Sequence, residues 1–192
     1  MMFVELQAIM HMIGIRLLNM GGNTITNRIL ITPQRSYRNN CVRFASQCLY
    51  AGLGDDIIAE VYPEWHCYRN NQRDPENPEE HDQTRSWRKT NYFYRFLMDS
   101  GLAYNTTRLY SGWDLGLMAE WFQYEPGDFL FFSNGNGADE FYHVAVVSAI
   151  TENDILFMGN TTDCFDASLT AWFQDPENQE KEVVIVCIAD QG

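Results

Sequence analysis

The sequence predicts an α+β fold: helices in the N-terminal half packed on an antiparallel sheet built from the C-terminal half. Three observations carry this expectation. Apolar residues recur at helical spacing early in the chain. After residue 125 the pattern breaks into short runs of Val, Ile and Phe separated by Gly, Pro, Asn and Asp, as in strands joined by turns. The 192 residues suffice for one proper core and are too few for two ordinary ones, so residues 1–192 are expected to form a single domain.

The elements follow in order. Phe3, Leu6, Ile9, Met10, Ile13 and Leu17 sit close to a 3.6-residue period, and Gly21-Gly22 stops it, so residues 3–19 read as an amphipathic packing helix. Residues 20–40 are loop-like, with a short strand at 29–31. Residues 41–51 read as a helix, with Phe44, Ala45, Cys48, Leu49 and Ala51 on one side and Gly52 and Gly54 ending it. Asn40 is the type of residue that caps such a helix. Residues 66–86 are polar and form a long surface loop. Helices are expected over 87–98 and 115–122. Pro126-Gly127-Asp128 turns the chain into a strand at 129–132, and further strands follow at 143–150, 155–158 and 183–188. Residues 160–182 read as loop with a helical turn near 169–173. The strands are expected to run as an antiparallel meander.

Composition excludes some partners. A net charge of −13 speaks against nucleic acid, whose phosphates need clustered Lys and Arg, and against anionic membranes or wall polymers. Five cysteines at irregular spacing, with no C-x-x-C pair, argue against a zinc knuckle or a thioredoxin-type motif, and reduced thiols are the simpler reading. No metal and no cofactor is expected. The segment Met1-Met2-Phe3-Val4-Glu5 makes a poor signal peptide, and no apolar run reaches membrane-spanning length. The expected location is therefore the cytoplasm, or export by a route that does not read a standard signal.

Two residues stand out chemically. Cys41 opens the helix after Asn40. Free N–H groups and the positive helix end favour a thiolate there, and the same N–H groups can hold an oxyanion. His143 enters the Val-rich strand after a Gly-rich loop, so its ring can be fixed and still meet a substrate. Asn160 follows the next strand, one hairpin away, where its side-chain oxygen could accept the imidazole N–H; Asp163 is the substitute orienter. Cys48 falls on the apolar helix face and Cys187 inside an apolar strand, so both read as inert. Cys67 and Cys164 have no helix-start context. His11, His66 and His81 rank below His143.

The stretch Asn40-Cys41-x-Arg43-Phe44-x-Ser46-Gln47-Cys48-Leu49-x-Ala51-Gly52 resembles the "DC-x-NF-x-SQCL-x-AG" signature of a bacterial amidase domain family, which sits with the CHAP and NlpC-type cell-wall peptidases in the papain-like group. Further similarities follow in order: Ser86-Trp87, Pro126-Gly127-Asp128-Phe129, Tyr142-His143-Val144-Ala145-Val146-Val147, and Gly159-Asn160-Thr161-Thr162-Asp163 before Ser168-Leu169. The likeness covers residues 36–188 and leaves residues 1–35 as an unrecognised, helical N-terminal extension. It implies a papain-like cysteine peptidase fold, with Cys41 as nucleophile, His143 as general base and acid, and Asn160 as orienter where the family commonly has His. Asn40, Arg43 and Gln34 are assigned to substrate or oxyanion binding. The family Asp and Asn are here Asn40 and Arg43; the guanidinium could stabilise the thiolate or grip a carboxylate.

The expected activity is thiol-dependent hydrolysis of an amide bond in a peptide or a peptidoglycan stem peptide, with an inhibitor or immunity protein as a further partner. Two alternatives accompany it. The same residues could perform deamidation or acyl transfer on a protein, as papain-like effectors and toxins do. The departures at Asn40 and Arg43 also fit a catalytically silent binding module on the same fold.

Overall fold

The computed structural model describes residues 41–53, 61–66, 84–135, 140–160 and 163–189. The expected helix over 3–19, the strand at 29–31, and Gln34 and Asn40 lie outside the described residues. Helices α1 (Cys41–Leu53), α2 (Arg85–Arg88) and α3 (Thr90–Asp99) precede strand β1 (Ala103–Tyr110). Then come α4 (Leu115–Phe122), β2 (Phe129–Ser133), β3 (Phe141–Ile150), β4 (Ile155–Asn160), β5 (Asp163–Ser168), α5 (Leu169–Gln174) and β6 (Glu182–Ile188). The protein is α+β. Among the described residues one six-stranded sheet runs in the order β1-β6-β2-β3-β4-β5, and every neighbouring pair is antiparallel.

Several expectations need correction. The helix expected over 87–98 is two helices, because Lys89 takes an extended conformation (φ −127°) and turns the chain between them. Strand β1 was not anticipated: among the described residues AYNTTRLY is an edge strand with one neighbour, half-exposed along its length, so it lacks the apolar run that marks a buried strand. Strand β5 falls in a segment read as loop, since only half of DCFDAS is apolar and, among the described residues, it also lies at an edge. Only β2 to β5 form a meander; β6 inserts between β1 and β2. Nor do helices all come first, because α4 and α5 interrupt the strands.

The sheet is covered on both faces, and period-2 alternation feeds two separate cores. On one face Phe129, Phe131, Val144, Val146, Met158 and Val184 pack with α1, α2 and α3. On the other, Leu130, Phe132, Ala145, Val147, Phe157 and Ile185 pack with α4 and α5. All five residues of β2 are buried. Short caps hold the second layer: Asp114 Oδ1 accepts from Leu117 N at 3.0 Å at the head of α4, and Ser168 Oγ from Ala171 N at 2.9 Å at the head of α5. Gly116 on α4 is required by close approach, since a Cβ there would lie 1.9 Å from the carbonyl oxygen of Glu152.

The first layer is organised by aromatic rings around one hydroxyl. Trp65 stacks on Phe96 at 5.0 Å and lies 4.9 Å from Trp87. Fully buried Ser46 of α1 donates to the carbonyl of Trp87 and accepts from Trp65 Nε1, both at 3.2 Å. The Ser of the S-Q-C-L stretch is thus a clamp that fixes α1 against the segment at Trp65 and against α2. Truncation to Ala would strand the indole N–H in an apolar core. Ser46→Ala is expected to cost about 2 kcal/mol in urea unfolding, and an unchanged midpoint would contradict the clamp.

Asp128 ties three strands together. Its carboxylate accepts from Glu125 N at 2.9 Å and from Ile188 N at 3.0 Å, while its own carbonyl accepts from Val147 N at 2.8 Å. The preceding Gly127 has φ +105°, which the turn demands and other residues rarely adopt. Burial pushes the Asp128 carboxyl up from 3.8 to about 6, against the pull of those two N–H groups. Between these values the folded chain holds a proton that the unfolded chain has lost, so this group lowers stability as pH rises from 4 to 6, by about 3 kcal/mol in all. The gap in stability between Asp128→Asn and the parent should therefore shift in favour of Asn between pH 4 and pH 7.5; a pH-independent gap would refute the assignment.

Candidate active site

Cys41 is the first residue of α1 and is 3 % exposed. It belongs with Val42, Ala45, Cys48 and Leu49 to the buried side of the helix, packed in the core that contains Val144 and Val146. Further along, burial pushes the Cys48 thiol up to about 12, which makes it an inert packing group. Cys187 in β6 is likewise buried and pushed up to about 12. Both agree with the sequence reading.

His143 lies in β3, directly opposite Phe132 of β2. The next pair is Ser133 with Phe141, so Tyr142 is an extra residue and the strand bulges there. The imidazole packs on the Phe132 ring at 5.3 Å between centroids. Its Nε2 lies 3.4 Å from the point where a Cβ on Gly159 would stand, beside Ala145 Cβ at 3.7 Å from the same point. Phe132 and Ala145 belong to the α4/α5 face, and Cys41 to the α1 face. The sheet thus separates the two side chains, and no hydrogen bond of the described residues joins them.

Asn160 ends β4 and pairs with Asp163 at the start of β5. Gly159 presents its Cβ direction to the His143 side, so alternation turns Asn160 to the opposite side, that of Met158 and α1. Continuing the pairing of Val146 with Met158 puts Val144, not His143, across from Asn160. The structure therefore sets Cys41 and Asn160 on one side and His143 on the other. Arg43 is half-buried in α1 and engaged with another group. The side chain of Asp163, like all of Gln34 and Asn40, lies outside what is described.

His143 has different neighbours from those expected. Cys164 of β5 brings its Sγ to 3.7 Å from the same Gly159 Cβ point. Trp172 of α5 packs on Phe132 at 4.9 Å, and Lys181 Nζ stands 5.7 Å from the Tyr142 ring and 5.9 Å from the Trp172 ring. A thiol, an imidazole and an ammonium thus share one aromatic-walled side of the sheet. Sequence reasoning passed over Cys164 because it has no helix-start context; recognising β5 as a strand returning along β4 would have placed Cys164 beside Gly159. Among the described residues no group of three or more His, Cys, Asp or Glu side chains is arranged to hold a metal ion. No described helix is long and apolar enough to cross a membrane.

Residues 31–184 match a family model described as "Putative amidase domain". No curated protein matches the chain, and no solved structure does. The matched span includes Cys41, His143, Asn160 and Cys164.

Burial lowers the His143 pKa from 6.5, so the ring is a neutral base at pH 7. The unfolded chain takes up this proton first as pH falls, so the residue lowers stability below about pH 6.5, opposite in sign to Asp128. The His143 ring proton resonances are expected to titrate below the ordinary histidine value, with the missing resonances identified in His143→Gln. Titration at or above 6.5 would contradict the burial.

Proposed function

Because this chain belongs to the Putative amidase domain family, whose description indicates amide-bond hydrolysis, we propose that it is a papain-like hydrolase, related to the CHAP and NlpC-type peptidases, that uses the thiol of Cys41 as nucleophile. The observation that carries the reading is the place of Cys41 as the first residue of α1, since the leading N–H groups of a helix have no intrahelical acceptor and favour both a thiolate and an oxyanion. Cys41 is 3 % exposed, so this reading requires the head of the helix to open to the substrate.

In this reading His143 takes the Cys41 proton and the thiolate attacks the carbonyl carbon. The backbone N–H of Cys41 holds the oxyanion, with Arg43, Asn40 and Gln34 binding substrate around it. His143 then protonates the leaving amine, and water clears the thioester. Asn160, or Asp163 in its place, orients the ring. The mechanism requires the imidazole on the α1 side. The bulge at Tyr142 is the element that can supply this: a one-residue change of pairing reverses the side to which a strand residue points, and moving the extra residue past His143 would turn the ring toward α1 while leaving 145–150 in place. The proposed substrate is a peptide or peptidoglycan stem peptide.

A second reading, a catalytically silent binding module, is favoured by one observation: the sheet stands between Cys41 and His143. Incubation of the full chain with peptidoglycan stem peptides, read by release of new amino termini, separates the two. Hydrolysis that falls about a thousandfold or more in both Cys41→Ala and His143→Ala supports the thiol hydrolase. Hydrolysis that survives Cys41→Ala refutes it, and a biological effect retained by Cys41→Ala without any hydrolysis supports the silent module.

A further inference from the structure

We infer that the cleft between Glu64, α2 and α3 is a binding site for a short peptide with both termini free. Its volume is about 320 Å³, at the small end of the range for ligand pockets. None of its lining residues has a part in the hydrolase reading, and the inference does not rest on that reading.

The floor is aromatic and fixed. Phe96 of α3 is 4 % exposed; it stacks on Trp65 at 5.0 Å and meets the Tyr62 ring edge-on at 5.6 Å. Tyr92, one turn earlier on α3, is exposed and lines the same cleft. Ser86 of α2 donates its hydroxyl to the Glu64 carbonyl, which ties that wall to the helix.

The rim is charged and not neutralised. Arg85, Arg95, Glu64 and Asp99 are all exposed and all line the cleft. Among the described residues none of the four forms an ion pair, although Arg95 and Asp99 stand four residues apart on α3, where such pairs close readily. Arg85 donates from Nη1 to the Tyr92 hydroxyl at 3.3 Å, and its guanidinium carbon lies 5.7 Å from the ring centroid, so the cation is steered by the aromatic wall. Two cations and two anions over an apolar floor disfavour a polyanion and a polycation alike. A ligand that answers both signs carries a carboxylate and an ammonium.

Spacing sets the size of that ligand. One turn of α3, about 6 Å, separates Arg95 from Asp99. Two extended residues span about 7 Å, so a dipeptide reaches from one to the other. The planar forks of Arg95 and Arg85 match its carboxylate. Its ammonium falls to Asp99, the last residue of α3, where the helix dipole also favours a cation, with Glu64 as a second acceptor. An apolar side chain between the termini lies on Phe96 and Tyr92.

The test titrates alanyl-leucine into the full chain at pH 7 and low salt, followed by backbone amide chemical shifts. Saturable binding with a dissociation constant below about 1 mM is expected. Amidation of the peptide carboxylate and acetylation of its amine should each weaken binding about tenfold, as should Arg95→Gln and Asp99→Asn. The blocked peptides need no variant to fold. Cys41→Ala should bind as the parent does, whether or not the parent hydrolyses peptides. No saturable shift up to about 10 mM peptide would overturn the inference. So would equal affinity for the blocked peptides, or binding that Cys41→Ala removes and Arg95→Gln leaves intact.

Discussion

The structure depends on the burial of one strand from both sides. Phe129 to Ser133 of β2 has no solvent-facing residue. Phe129 and Phe131 enter one core, and Leu130 and Phe132 the other. Each such side chain contributes about 1.5–3 kcal/mol when removed from water, and together they bind two helical layers to a single sheet. Asp128 sits at the head of this strand because three backbone groups converge there: Glu125 N, Ile188 N and Val147 N all find their acceptor on it. An aspartate in so apolar a place is retained against a raised pKa by the N–H groups it satisfies, which would otherwise be orphans.

Covering both faces has a consequence for chemistry. In a two-layer protein every inward side chain shares one core, and residues that enter it meet. Here the period-2 rule sorts residues into two compartments that do not communicate through the sheet. Cys41 lies in the compartment of α1, while His143 lies in that of α4 and α5 with Phe132, Trp172 and Cys164. Which compartment receives the imidazole is set by a single extra residue at Tyr142. The bulge is thus the point on which the hydrolase reading turns.

Much of the fold is legible in the sequence. The helix at α4, the strands at β2, β3, β4 and β6, the inert positions of Cys48 and Cys187, and the turn at Pro126-Gly127-Asp128 all follow from local pattern, because each buries a regular stripe or needs a special turn residue. The edge strands escaped because an edge strand has one partner and exposed flanks. AYNTTRLY and DCFDAS therefore carry no apolar run to mark them, and their pairing partners are distant or hidden in an apparent loop. Ser46 belongs to the S-Q-C-L motif, yet its work as a clamp between Trp65 and Trp87 has no signature in residue spacing.

By itself the amino-acid order determined that this chain carries a helix headed by a cysteine, a buried strand entered by a histidine, and the ordered motifs of an amidase family. Those features are local, set by periodicity, caps and turn chemistry within about ten residues. Tertiary structure alone decided which side of the sheet each group occupies, that Cys164 and His143 both border Gly159, and that β6 divides β1 from the meander. The physical reason is register: one residue of bulge reverses a side chain's direction, and no periodicity in the sequence records where the partner strand places that residue.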